Sequence, residues 1–155
     1  MSDFDLQITQ MDRKRHRTAV TALIDEQRRE RNLSTLKFAG SLRLSAHSWA
    51  ASMSRQSRFG HGSGSQSFIQ RALRFPFVVN SGARRGQVAE NLAFGTGEFS
   101  TPREIVAQWM DSPVHRNNIL GDWQYHAVWS EQDDPEHTGI QRDAVIVVHH
   151  FGRRR

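Results

Sequence analysis

The spacing of apolar residues changes period near residue 120, and that change restricts the fold more than any other feature of the chain. Before it, apolar side chains recur at helical intervals. Leu42, Ala46, Trp49 and Met53 stand at i, i+4, i+7 and i+11, which predicts a helix over 41–57 with one buried face. Val20, Leu23, Ile24 and Gln27 predict another over 18–31, stopped at Asn32. Beyond residue 120, WQYHAVWS alternates with period two and DAVIVVHHFG is a Val- and Ile-rich run. Both read as strands. Helices first and an antiparallel pair last define an α+β chain.

Two proline signals lie between these regions. In Thr101-Pro102-Arg103-Glu104, Thr101 is placed to cap, Pro102 suits the first helical position and Glu104 completes a capping box. That helix ends near Asp111, because Pro113 biases Ser112 away from helical angles; Ser112 then caps a short new helix carrying His115. Upstream, FGHGSGSQS (59–67) is too glycine-rich for regular structure and matches neither a nucleophile elbow nor a dinucleotide loop. A short helix is expected over 67–74, then a loop with Gly82 and Gly86, and a polar turn at EQDDPEHTG.

At 155 residues the chain suits one domain, read as 17–155 preceded by a loosely ordered tail over 1–16. It has no cysteine, so disulfides, thiolate metal sites and cysteine nucleophiles are excluded. No apolar run approaches the ~20 residues that span a bilayer. The amino terminus carries no signal-peptide pattern, which leaves either an intracellular protein or one whose leader has been removed. The formal charge is +5, and Lys14 and Lys37 are the only lysines among 21 basic residues. The arginines are scattered, with no aromatic-interleaved basic stripe, so weak non-specific attraction to polyanions is expected.

Of eight histidines, His16 falls in the basic tail, His137 in a polar turn, and His126, His149 and His150 in or beside strands with one face expected in solvent. His61 and His115 stand at irregular joints, where functional side chains concentrate. Glu90 follows a glycine-containing loop in a similar setting. Two imidazoles and a carboxylate suit a divalent metal or an acid–base set, although spacings of 29 and 25 residues carry little information alone.

Taken in order, LIDEQRRERNL, LRLSAHSWAASMS, FGH, AENLAFG, WMDSPVHRNNIL and a final HHFG resemble the CAP superfamily (cysteine-rich secretory proteins, antigen 5, pathogenesis-related proteins; the SCP domain), in its cysteine-free bacterial form. The similarity extends from about Thr18 to Gly152. It implies an α-β-α sandwich with a small antiparallel sheet and a central cleft. It also implies that His61, Glu90 and His115 line that cleft, with His61 and His115 holding a divalent cation such as zinc. The Ser-Pro break is then what turns His115 into the cleft. The glycine usual before Glu-Asn is Ala89, and the second glutamate of eukaryotic members falls on Ser112; neighbouring Asp111 is rotated by about 100° on a helix. The implied function is a secreted binding module for a cation and a small or lipid-like ligand. A metal-assisted hydrolase with Glu90 activating water and a polyanion-binding surface protein are the alternatives.

Overall fold

The computed structural model describes residues 1–80, 87–132 and 143–154. Six helices and four strands follow in the order α1 (Arg13–Arg29), β1 (Lys37–Phe38), α2 (Gly40–Arg55), α3 (Phe68–Ala72), α4 (Pro76–Asn80), β2 (Val88–Thr96), α5 (Pro102–Met110), α6 (Pro113–Ile119), β3 (Tyr125–Gln132) and β4 (Ala144–Gly152). The strands form one sheet in the order β1-β3-β4-β2. β4 is antiparallel to β2, with Glu90 opposite His150, and antiparallel to β3. The two residues of β1 pair in parallel with Tyr125 and His126.

Central placement explains why β4 reads as a continuous apolar run: it is buried at every position. Successive side chains alternate between faces. Val145, Val147 and Phe151 join a core with Val20, Ile24, Ile105 and Trp109 from α1 and α5. Ile146 and Val148 join Ala46, Trp49 and Met53 from α2 on the other face. The layers are therefore helix, sheet, helix. The helical stripe predicted on α2 is this buried face, and each fully buried large side chain contributes about 1.5–3 kcal/mol.

Several local expectations change. The tail expected over 1–16 is built into the domain: short 3-10 turns form at Asp3–Asp5 and Ile8–Gln10, and α1 already begins at Arg13. Ile8 is buried, its N–H donating to the Ser100 hydroxyl at 3.0 Å, and Asp12 caps α1 by accepting from the Arg15 N–H. Thr101 caps α5 by accepting from the Glu104 N–H, as its sequence predicts. Ser112 has extended angles ahead of Pro113 but its hydroxyl makes no capping bond, so the break rests on the proline. Glu90 lies within a nine-residue strand and not in a joint. The loop with Gly82 and Gly86, and most of the EQDDPEHTG turn with His137, lie outside the described residues.

Candidate functional site

Strand geometry gives adjacent residues opposite tasks. Glu90 and Asn91 are neighbours on β2, so their side chains emerge on opposite faces of the sheet. On the α1–α5 side, fully buried Asn91 donates through Nδ2 to the His115 carbonyl at 3.0 Å and accepts from Asn118 Nδ2 at 2.8 Å. One amide thus clamps both ends of a turn of α6 and fixes where His115 begins. On the α2 side, Glu90 enters a cluster of polar groups.

Both Glu90 oxygens are fully engaged. Arg71 forms a fork, NH1 to Oε2 and NH2 to Oε1, each at 2.8 Å. His61 Nδ1 lies 2.8 Å from Oε1, and His150 Nε2 lies 2.7 Å from Oε2. Burial by itself would raise the Glu90 carboxyl, but the bonds from Arg71, His150 and His61 together outweigh it and hold the group well below the usual carboxylate range. An ionised carboxylate only accepts, so both imidazoles donate to it. His150 Nδ1 in turn lies 2.7 Å from the Ser45 hydroxyl, which also stands 3.0 Å from the Leu42 carbonyl.

Arg71 is held as firmly as the acid it serves. Its Nε donates to the Gln66 carbonyl at 2.9 Å, NH2 also donates to the His61 carbonyl at 3.0 Å, and the guanidinium stacks 3.7 Å from the Trp49 ring centre. Trp49 in turn donates from Nε1 to the Gly60 carbonyl at 3.0 Å. The glycine-rich FGHGSG stretch is thereby tied down on both sides of His61. Gly62 has φ +80°, and a Cβ there would stand 2.0 Å from the Gln66 carbonyl oxygen, so only glycine fits.

The His61 side chain remains 53% exposed while its Glu90 partner is 1% exposed. With Nδ1–H given to Glu90, the lone pair of the neutral His61 ring resides on Nε2. His115 is half-buried, and its Nδ1 is enclosed without a hydrogen-bond partner. Burial, and then the charge of His61, lower the His115 pKa below its ordinary value. Asp111 is exposed at the end of α5. Among the described residues, no group of three or more His, Cys, Asp or Glu side chains is arranged to hold a metal.

The structure thus joins His61 directly to Glu90 and ties His115 on α6 to the next residue of the same strand, Asn91, through its carbonyl. It also adds Arg71, His150 and Ser45, which the sequence reading did not select. His150 had one signal, the strand alternation of HHFG, which sends one histidine of the pair to each face. Arg71 had none, being one arginine among many. His149, on the opposite face, pairs with His126 across 3.0 Å between Nδ1 and Nε2. Both are buried, as is His16, bonded to the Ser100 carbonyl at 2.7 Å and the Ser130 hydroxyl at 2.8 Å. The solvent-facing setting expected for these histidines does not occur, because β4 is central and α1 covers β3.

The family model for the cysteine-rich secretory protein family, CAP, matches residues 21–123, two thirds of the chain, and the chain belongs to that family. No curated protein sequence matches it. Among solved structures, it is similar to an outer surface protein of Borrelia burgdorferi at 20% identity and a TM-score of 0.72, covering 94% of this chain and 97% of that one. An extracellular SCP-domain protein of Bacillus anthracis follows at 18% and 0.71, over 95% of this chain and 43% of that one. A cysteine-rich secretory protein of Staphylococcus aureus gives 15% and 0.63, over 92% and 40%. At these identities the likeness establishes the fold. His61, Glu90 and His115 all fall inside the family match; His150 falls beyond it.

Proposed function

We propose that this domain is a ligand-binding module whose cleft holds a divalent cation, zinc by its donor type, between His61 and His115. The observation that carries the reading is the anchoring of His61. Its Nδ1 is bonded to a carboxylate that Arg71 and His150 lock in place, while the ring stays 53% exposed and its other nitrogen is left to meet an occupant. A carboxylate behind a histidine is the arrangement that orients metal-binding imidazoles. His115, half-buried on α6, would supply the second imidazole through Nε2, since its Nδ1 is enclosed by protein.

The donor set fits two imidazoles and not a third protein ligand, because Glu90 has no free oxygen. A bound cation would offer its remaining positions to oxygen atoms of a small or lipid-like ligand. Apolar groups beside the histidines suit such a ligand: Phe59 packs on Phe94 with ring centres 6.0 Å apart, and Val114 is exposed next to His115. The hydrolase alternative asks Glu90 to take a proton from water. A carboxylate held far below its usual range, with both oxygens saturated, is a poor base at neutral pH. The Borrelia and Bacillus relatives are an outer surface protein and an extracellular protein, which supports an extracellular placement, and no helix among the described residues is long and apolar enough to cross a membrane.

Nitrogen NMR of the histidine rings during a zinc titration tests this reading. The ring signals of His61 and His115 should shift together and saturate, with those of His126 and His149 unmoved. Shifts absent from both cleft rings, or spread evenly over all the histidines, would contradict it.

A further inference from the structure

A cleft of about 490 Å³ opens on the α2 face of the sheet behind Arg71, within the ~300–1,000 Å³ range of small-molecule sites. Its first wall is a polar stripe of α2. Ser45, Ser48, Ser52 and Arg55 stand at i, i+3, i+7 and i+10, which is one helical face. Facing them are Arg71 in α3 and Arg74 just after it, and Trp49 and Phe75 supply apolar surface.

Charge sets this cleft apart. Three guanidiniums line it and no carboxylate does. Two other clefts each mix signs: one sets Asp122 beside Arg28 and Lys37, the other sets Asp25 beside Lys14, Arg17 and Arg43. Glu90 neutralises Arg71, whereas Arg55 and Arg74 have no carboxylate partner among the described residues. Two positive charges without a carboxylate partner among the described residues, Arg55 on α2 and Arg74 opposite it, therefore share the cleft with the serine hydroxyls of α2. Ser52 accepts from Gln56 Nε2 at 3.2 Å, which leaves its hydroxyl hydrogen for an occupant. Ser45 is turned toward His150 and closes the base of the cleft.

We infer that this cleft binds a small molecule carrying a phosphate group beside an apolar body. A phosphate dianion balances the two guanidiniums that lack a carboxylate partner among the described residues, Arg74 donating there only to the Ser65 carbonyl at 3.2 Å, and its three terminal oxygens suit guanidinium forks and serine hydroxyls together. The apolar body rests on Trp49 and Phe75. Neither His61 nor His115 lines this cavity, so the inference does not rest on a cation held by them.

Titration with phenyl phosphate at low salt, followed through the Trp49 indole N–H signal, tests the inference. The signal should shift and saturate, and phenol alone should not move it. Arg55→Gln/Arg74→Gln, two exposed positions whose change leaves the core intact, should weaken binding on the order of tenfold. Arg29→Gln/Arg31→Gln removes the same charge from exposed positions at the end of α1 on the opposite layer and should change it less than about twofold. A Trp49 signal that does not move, or an equal loss in both double variants, would overturn the site and leave only general attraction to a basic protein.

Discussion

Replacing Arg71 with Met removes the guanidinium and keeps much of the stem's bulk. Glu90 is then a carboxylate, 1% exposed, bonded only to two imidazoles. Removing one partner of a buried ion pair costs about 3–5 kcal/mol. Loss of the bonds to the Gln66 and His61 carbonyls and of the stack on Trp49 pushes Arg71→Met toward the upper end. The penalty depends on pH with a definite sign. In the parent protein the Glu90 pKa lies below its unfolded value, so its contribution is present above the unfolded carboxylate pKa and is lost progressively as pH falls from there through the depressed folded value. Without Arg71 the largest of the lowering bonds is lost, and the folded carboxyl rises from its depressed value toward the unfolded one. Acidification from pH 7 to pH 4 then costs the parent more than the variant. Urea unfolding at pH 7 and pH 4 should show the gap between parent and Arg71→Met narrowing at pH 4, and Arg71→Met/Glu90→Gln should be more stable than the sum of its single changes. A loss below about 1 kcal/mol, the size of an exposed pair, or a gap that does not depend on pH, would refute the hub.

Asn91→Ala should cost about 1–3 kcal/mol, since it strips partners from buried polar groups, and should weaken zinc binding by freeing α6; thermal melts and titrations check both. Gly62→Ala places a side chain at φ +80° against the Gln66 carbonyl; a cost of about 1–3 kcal/mol is expected, together with loss of the His61–Glu90 bond by NMR. Burial lowers His126 to about 4 and His149 well below 6.5, so the folded rings stay neutral while the unfolded rings protonate. Stability should therefore fall as pH drops from 6.5 toward 4, by up to about 1.4 kcal/mol per pH unit for each ring, and His149→Leu should flatten that slope in urea unfolding.

The layers were legible in the sequence because helical and strand periods differ and because Pro102 and Pro113 punctuate α5 and α6. Trp49, Leu42, Ile105, Trp109 and Val147 are all buried as their spacing requires, although the sheet divides them between its two faces. β2 escaped notice as a strand because Glu90 and Asn91 interrupt its apolar pattern, and those two polar residues are the ones that build the site. His61, Glu90 and His115 were legible only through the family resemblance. Arg71 and Ser45 were not legible at all, since an ion pair 19 residues apart and a serine–histidine contact 105 residues apart leave no local trace. The buried His16 and Ile8 show the same limit at the amino terminus, where polar neighbours conceal residues that pack against Ser100 and Ser130.

The central claim is that His61 and His115 form a two-histidine cation site. Calorimetric titration of the parent protein, and of His61→Ala/His115→Ala, with zinc at pH 7.5 and pH 5 tests it most directly. Ligating imidazoles must be deprotonated, so saturable binding at one equivalent is predicted for the parent at pH 7.5, weakened at pH 5 and abolished in the double variant. No binding at pH 7.5, or binding unchanged in the double variant, would contradict the account.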